Sequence, residues 1–204
     1  MRKPHEERKA EIIRSTLELA AEQGVARVTT QAIADQVGIA QPTVFRHFKS
    51  RDDIFAAAIE WVAGEMLRQV EAWTEGTGAP EERLLRLLEA QLAFVARHRG
   101  LPRLLFSDRL HLESPRLKAA VRSVMERYTE RVSALVREGI ETGRLCCDLA
   151  PQEAARYIAA LFQGVLMRWS VFDFGFPLEE QAPALWRFVA GGLGVRPGNE
   201  EGTP

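Results

Sequence analysis

Apolar residues recur along this chain at three- and four-residue spacing almost from end to end, and that period predicts helices throughout. Ile13, Leu17, Ala20 and Ala21 mark one amphipathic helix over about 6–23, ended at Gly24. Thr29 is placed to cap a short second helix whose inner face carries Ile33, Ala34 and Val37. Gly38 stops it, because glycine enters a left-handed turn without strain, and Ile39 plugs that turn into the core. A third helix, over about 41–48, is expected to bury Val44, Phe45 and Phe48 and to turn Gln41, Thr43, Arg46, His47 and Lys49 outward. Two short helices around a glycine turn are the sequence form of a helix-turn-helix.

The pattern then lengthens. Ser50 and Asp53 form a capping-box-like pair, and Ile54, Phe55, Ala58, Val62, Met66, Val70 and Trp73 hold helical spacing to Glu75. That helix leaves the three-helix head and enters whatever follows. After a Gly/Pro break, Pro80 opens a helix to about 98, followed by a shorter helical piece over 101–111. A long helix is expected over 115–142, another over 151–172, and a last one over about 178–190, which Pro183 either bends or delays. Residues 1–5 read as a loose basic arm, and 194–204 as a disordered Gly/Pro-rich tail. The expectation is an all-α chain of about nine helices. It divides into a head over 1–50, a second domain over 51–193 whose helix 51–75 links the two, and the tail.

The run Thr29, Ile33, Ala34, Gly38, Ile39, Thr43, Val44, Phe45, His47, Phe48, Ser50, Arg51 and Ile54 closely resembles the N-terminal signature of the TetR/AcrR family of one-component regulators. The resemblance implies that the third helix lies in the DNA major groove. Gln41 and Thr43 are then the candidates for base edges, since Gln pairs bidentately with adenine and a Thr methyl meets a thymine methyl. Arg46, His47, Lys49 and Thr30 are the candidates for phosphates, and Arg2 and Lys3 of the arm for backbone or minor groove. Two positions depart from the family pattern. Phe45 replaces the usual Tyr and so lacks its hydroxyl, a contact that Arg46 is placed to supply. Ala40 replaces the usual Ser or Thr cap, with Pro42 in the first turn as partial compensation.

The later helices resemble the family's ligand-binding and dimerisation domain in number, order and length. That layout implies a homodimer through the last two long helices, where Ala155, Ala159, Phe162 and Leu166 would meet Leu185, Trp186 and Val189. Dimerisation also follows from geometry, because one short recognition helix reads too few base pairs and a twofold pair doubles the site. A ligand pocket is expected between the linking helix and those after it, among Trp61, Met66, Phe94, Phe106, Met125, Tyr128, Trp169 and Phe172, with Arg109 or His111 as polar anchors. Such a lining suits a small apolar or aromatic effector. The functional expectation is a homodimeric repressor released from a palindromic operator by that effector. The alternatives are an architectural or nucleoid-associated DNA-binding dimer without a switch, and a ligand-binding protein whose head no longer binds DNA.

Charge and composition narrow this further. The 204-residue chain has net charge −1, which argues against a nonspecific nucleic-acid coat. Residues 1–50 nevertheless hold eight basic and six acidic side chains, so they carry +2 and the remainder −3. No apolar run has bilayer length and the start lacks a signal-like apolar segment, so a cytoplasmic protein is expected. Cys146 and Cys147 are adjacent and make no disulfide framework. The histidines His5, His47, His98 and His111 show no metal-ligand spacing, and no cofactor or catalytic activity is expected.

Overall fold

The computed structural model describes residues 4–196, and among them it shows nine α-helices and no strand. In order these are α1 (His5–Gln23), α2 (Thr30–Val37), α3 (Gln41–His47), α4 (Arg51–Thr74), α5 (Pro80–Ala96), α6 (Gly100–Leu105), α7 (Pro115–Glu141), α8 (Pro151–Val171) and α9 (Ala182–Leu193). Arg2 and Lys3 of the expected arm and residues 197–204 of the expected tail lie outside the described residues.

Several boundaries differ from the apolar pattern, each for a local reason. His5 opens α1 and does not belong to a loose arm. The single piece expected over 101–111 is divided: α6 ends at Leu105 and a π-type turn follows over Arg109–Glu113. Ser107 makes the division, donating its hydroxyl to the Leu104 carbonyl at 2.7 Å and accepting from the Leu110 amide at 3.3 Å. Pro183 delays the last helix and does not bend it; α9 begins at Ala182, after a 3₁₀ turn at Glu179–Gln181, with the proline in its first turn. Gly194 caps α9 in the left-handed conformation, and the Arg196 amide donates to the Arg144 carbonyl at 3.1 Å. The first residues assigned to a disordered tail are therefore tied down.

The chain forms two compact units, one of residues up to 65 with 95–124, the other of 66–94 with 125 onward. Helices α4, α5 and α7 each contribute to both. Residue 50 lies inside the first of these units. In the first unit α6 packs on α1, and Gly100 makes that approach possible, since a Cβ there would overlap the Leu17 carbonyl. Ile12, Ala20, Val28, Ile33, Ala34 and Val44 are fully buried within this unit.

The second unit is built on facing apolar stripes. Leu84, Leu87, Leu88 and Leu92 of α5 are buried, as are Val132, Leu135 and Val136 of α7. α8 contributes Ala155, Ile158, Phe162 and Leu166, and α9 contributes Leu185 and Val189. Arg83 is buried and ion-paired to Glu138 at 2.6 Å, and Arg144 pairs with Glu81. One polar residue breaks the α5 stripe. Gln91 is 0% exposed; the Tyr128 hydroxyl donates to its Oε1 at 3.3 Å, and its Nε2 has no hydrogen-bond partner among the described residues. A buried donor left unpaired costs on the order of 1–3 kcal/mol. Burial also pushes the Tyr128 phenol up to about 12.

Candidate nucleic-acid interface

Local chemistry fixes the geometry of the head. Thr29 caps α2 by accepting from the Ala32 amide at 3.0 Å. Gly38 follows in the left-handed conformation, φ 72° and ψ 40°, and turns the chain into α3. Ala40 provides no side-chain cap to α3, whose first turn instead contains Pro42. Ser50 accepts from the Asp53 amide at 3.1 Å and donates its own hydroxyl to the Asp53 carboxylate at 3.0 Å. Asp53 is also ion-paired with Arg116 at the start of α7, and Arg51 donates to the Val28 carbonyl at 3.1 Å. The start of α4 is thereby anchored to the head and to α7.

The polar candidates on α2 and α3 are held by one another. The Gln41 amide donates to the Thr30 hydroxyl at 2.8 Å, and the Arg46 guanidinium donates to the Thr43 hydroxyl at 3.0 Å. Arg46 and Lys49 are exposed, while Thr30, Gln41 and Thr43 are half-buried. Phe45, expected in the core, is 48% exposed. Val44 takes the inward face of a seven-residue helix and Phe48, which follows its last residue, is buried as well, so the residue beside Val44 is turned out.

His47 departs from expectation in the other direction. It is half-buried, and its ring stacks on His5 of α1 with centroids 4.4 Å apart. Its Nδ1 is shielded and has no partner among the described residues. Both rings line a cleft of about 450 Å³ together with Arg8, Ile39, Ala40, Thr43 and Arg46. Arg8 also pairs with Glu11 at 2.8 Å. Burial, then the charges of His5, Arg46, Lys9 and Arg8, lower the His47 pKa below its ordinary value. A cleft lined by the guanidinium groups of Arg8 and Arg46 is chemically suited to an anionic oxygen such as a DNA phosphate. His5 was not legible as part of it, because four residues of sequence gave no sign that α1 begins there.

The structure distributes the ligand-pocket candidates between the two units. Trp61, Phe106 and His111 belong to the first. Trp61 stands edge-on to His98, Phe106 is 36% exposed, and His111 is exposed beside the Leu105 carbonyl. Arg109 falls in the same unit, with its side chain outside the described set. The second unit holds Met66, Phe94, Met125, Tyr128, Trp169 and Phe172. Of these Phe94, Tyr128 and Trp169 are buried, whereas Met125 and Phe172 are 42% and 58% exposed. Trp169 closes the end of α8, donating its indole N–H to the Phe176 carbonyl at 2.9 Å. Gln91 was missed, although a glutamine in register with Leu84, Leu87 and Leu88 is a visible interruption of an apolar stripe.

The dimer candidates differ in how much surface they offer a second copy. Ala155, Phe162, Leu166, Leu185 and Val189 are buried within the single chain, and Ala159 and Trp186 are half-buried. Surface already removed from water in one chain is not there to be buried on association. The exposed apolar residues of α8 are instead Tyr157, Leu161, Met167 and Val171, and on α9 Phe188, 77% exposed and flanked by the exposed Ala184, Gly191 and Gly192. No helix among the described residues is long and apolar enough to cross a membrane, and no cluster of His, Cys, Asp or Glu among them could hold a metal ion.

Comparison with known proteins agrees with this geometry. Residues 12–58 match the model of bacterial regulatory proteins of the tetR family, and residues 77–169 match that of the tetracyclin repressor-like C-terminal domain. The nucleoid occlusion factor SlmA of Aliivibrio fischeri (strain MJ11) is 27% identical over 190 residues, covering 93% of this chain and 96% of SlmA. A transcriptional regulator from Saccharomonospora viridis in complex with choline superposes with a TM-score of 0.81 at 22% identity, covering 94% of this chain and 100% of that one. FadR from Bacillus subtilis, in complex with stearoyl-CoA, does so with a TM-score of 0.76 at 20% identity, over 90% and 98% of the two chains. With its head, its second domain and its helix order all accounted for in this way, the chain belongs to the TetR family of bacterial transcriptional regulators.

Proposed function

We propose that this protein is a homodimeric repressor that grips a palindromic operator with two copies of the α2–α3 head and is released by a small apolar or aromatic effector. The observation that carries DNA binding is the pre-set polar face of the head. Gln41 and Thr43 are held by Thr30 and Arg46, above a cleft bearing Arg8, His5 and His47. Side chains restrained before binding lose less freedom on the DNA. Gln41 and Thr43 read base edges, and Thr30, Arg46, His47 and Lys49 hold phosphates. The homodimer is supported by the large apolar side chains that α8 and α9 leave exposed, Tyr157, Leu161, Met167, Val171 and Phe188, since exposed apolar surface of that kind favours an interaction.

Release is supported by continuity of the helices. α4 and α7 run through both units, and the Asp53–Arg116 pair joins their first turns beside the head. An effector that binds the second unit differently in two arrangements would bias where those first turns lie. The two liganded fold neighbours hold chemically unlike molecules, choline and stearoyl-CoA, so the fold itself does not select an effector.

The near full-length similarity to nucleoid occlusion factors favours a second reading, a DNA-binding dimer that works on the nucleoid without a small-molecule switch. Thermal unfolding in a panel of lipophilic compounds separates the two. A ligand-responsive repressor is stabilised by some member and loses its operator in that member's presence; a nucleoid-associated dimer shows neither effect.

A further inference from the structure

We infer that Gln91 and Tyr128 form the polar anchor of the effector site in the second unit, and that the effector is an uncharged lipophilic molecule bearing a carbonyl, ester or hydroxyl oxygen. This rests on the ligand-responsive reading above and adds to its apolar effector the polar group that the site would recognise. Three observations converge. Gln91 occupies an apolar register position on α5, in line with Leu84, Leu87 and Leu88, where a leucine would pack without a polar penalty. It is 0% exposed, yet only its Oε1 is paired, to the Tyr128 hydroxyl at 3.3 Å; its Nε2 has no protein partner. Tyr128 is 4% exposed and brings a hydroxyl to the buried face of α7 that also carries Val132, Leu135 and Val136.

The hydrogen-bond inventory then sets the ligand. With its proton directed to Gln91, the Tyr128 oxygen keeps acceptor capacity, and the Gln91 amide keeps its two N–H donors. The pair therefore offers a donor and an acceptor side by side, both neutral, on helices whose other buried side chains are mostly apolar. Burial holds the phenol protonated throughout the physiological range, so the site gains no charge with pH. A ketone or ester oxygen would accept from Nε2, and a hydroxyl would use both partners. A carboxylate or ammonium would enter this core without an opposite charge on either anchor, which is strongly unfavourable.

The test uses the full-length chain with 2-decanone, 1-decanol, decanoate and decylammonium as probes. Thermal unfolding and the side-chain amide resonances of Gln91, assigned by their loss in Gln91→Leu, are followed for each. The expected result is stabilisation by the ketone and the alcohol, with a shift of the Gln91 amide signals. Gln91→Leu should weaken ketone binding about tenfold, the loss of one hydrogen bond. Tyr128→Phe, which removes a single oxygen, should weaken the alcohol more than the ketone. Preference for decanoate or decylammonium, binding unchanged in Gln91→Leu, or Gln91 signals indifferent to every probe (a bound water only) would each overturn the assignment. Operator binding in the absence of probe is measured alongside. Its failure removes the regulator reading, whereas intact operator binding with indifferent Gln91 signals removes only the anchor.

Discussion

Gln41 lies in the first turn of α3 and Lys49 just beyond its last, and the proposed roles, reading for the first and holding for the second, predict different losses. Replacing Gln41 by alanine removes a bidentate partner for a base edge, so discrimination at one operator position should fall by ~1–3 kcal/mol while nonspecific affinity is kept. Replacing Lys49 should weaken all sequences alike and reduce the slope of log K against log salt by about 1. Anisotropy titrations on cognate and scrambled duplexes at several salt concentrations distinguish the two outcomes. If His47 holds a phosphate as proposed, binding should be sensitive to pH. Its folded pKa is held below the ordinary histidine value, first by burial and then by His5, Arg46, Lys9 and Arg8. As pH falls through the ordinary value the unfolded chain takes the proton first. The stability contributed by the neutral ring is thus full above that value and lost below it. A phosphate in the cleft reverses the preference, so operator affinity should rise as pH is lowered from about 8 to 6, and His47→Gln should flatten that rise.

Helix α6 depends on one missing side chain. In Gly100→Ala the new methyl would overlap the Leu17 carbonyl, which is backbone and cannot swing aside, so α1 and α6 must separate. A destabilisation of ~1–3 kcal/mol is expected, read as a lower midpoint in urea, with helix content almost unchanged. The apolar period, the Thr29 cap and the Gly38 turn made the helices and the head legible in the sequence. It did not show which apolar stripe of a helix faces its own chain. α8 is apolar around most of its circumference, and its period does not show that Ala155, Phe162 and Leu166 are buried within the single chain whereas Tyr157, Leu161 and Val171 are exposed. Phe45 failed for a related reason: a helix of seven residues has too few turns for its period to define a face. The cleft at His47 depends on α1 reaching His5, a tertiary fact that no local pattern carries.

At the level of the whole molecule, the exposed face of α8 and α9 should be where two copies meet. Phe188 and Val171 are 77% and 68% exposed, a poor arrangement for large apolar side chains unless something covers them. A stable twofold interface of this kind buries ~1,200–2,000 Å². Phe188→Asp should therefore shift the chain to monomer in sedimentation and reduce operator affinity, while Phe162→Ala should destabilise the chain itself. Footprinting of the unmodified chain at fixed salt, on genomic DNA flanking its own gene, examines head, dimer and operator together. Two symmetric protected half-sites about one helical turn apart are expected. Protection that is absent, or confined to a single asymmetric patch, would contradict a dimeric operator-binding regulator.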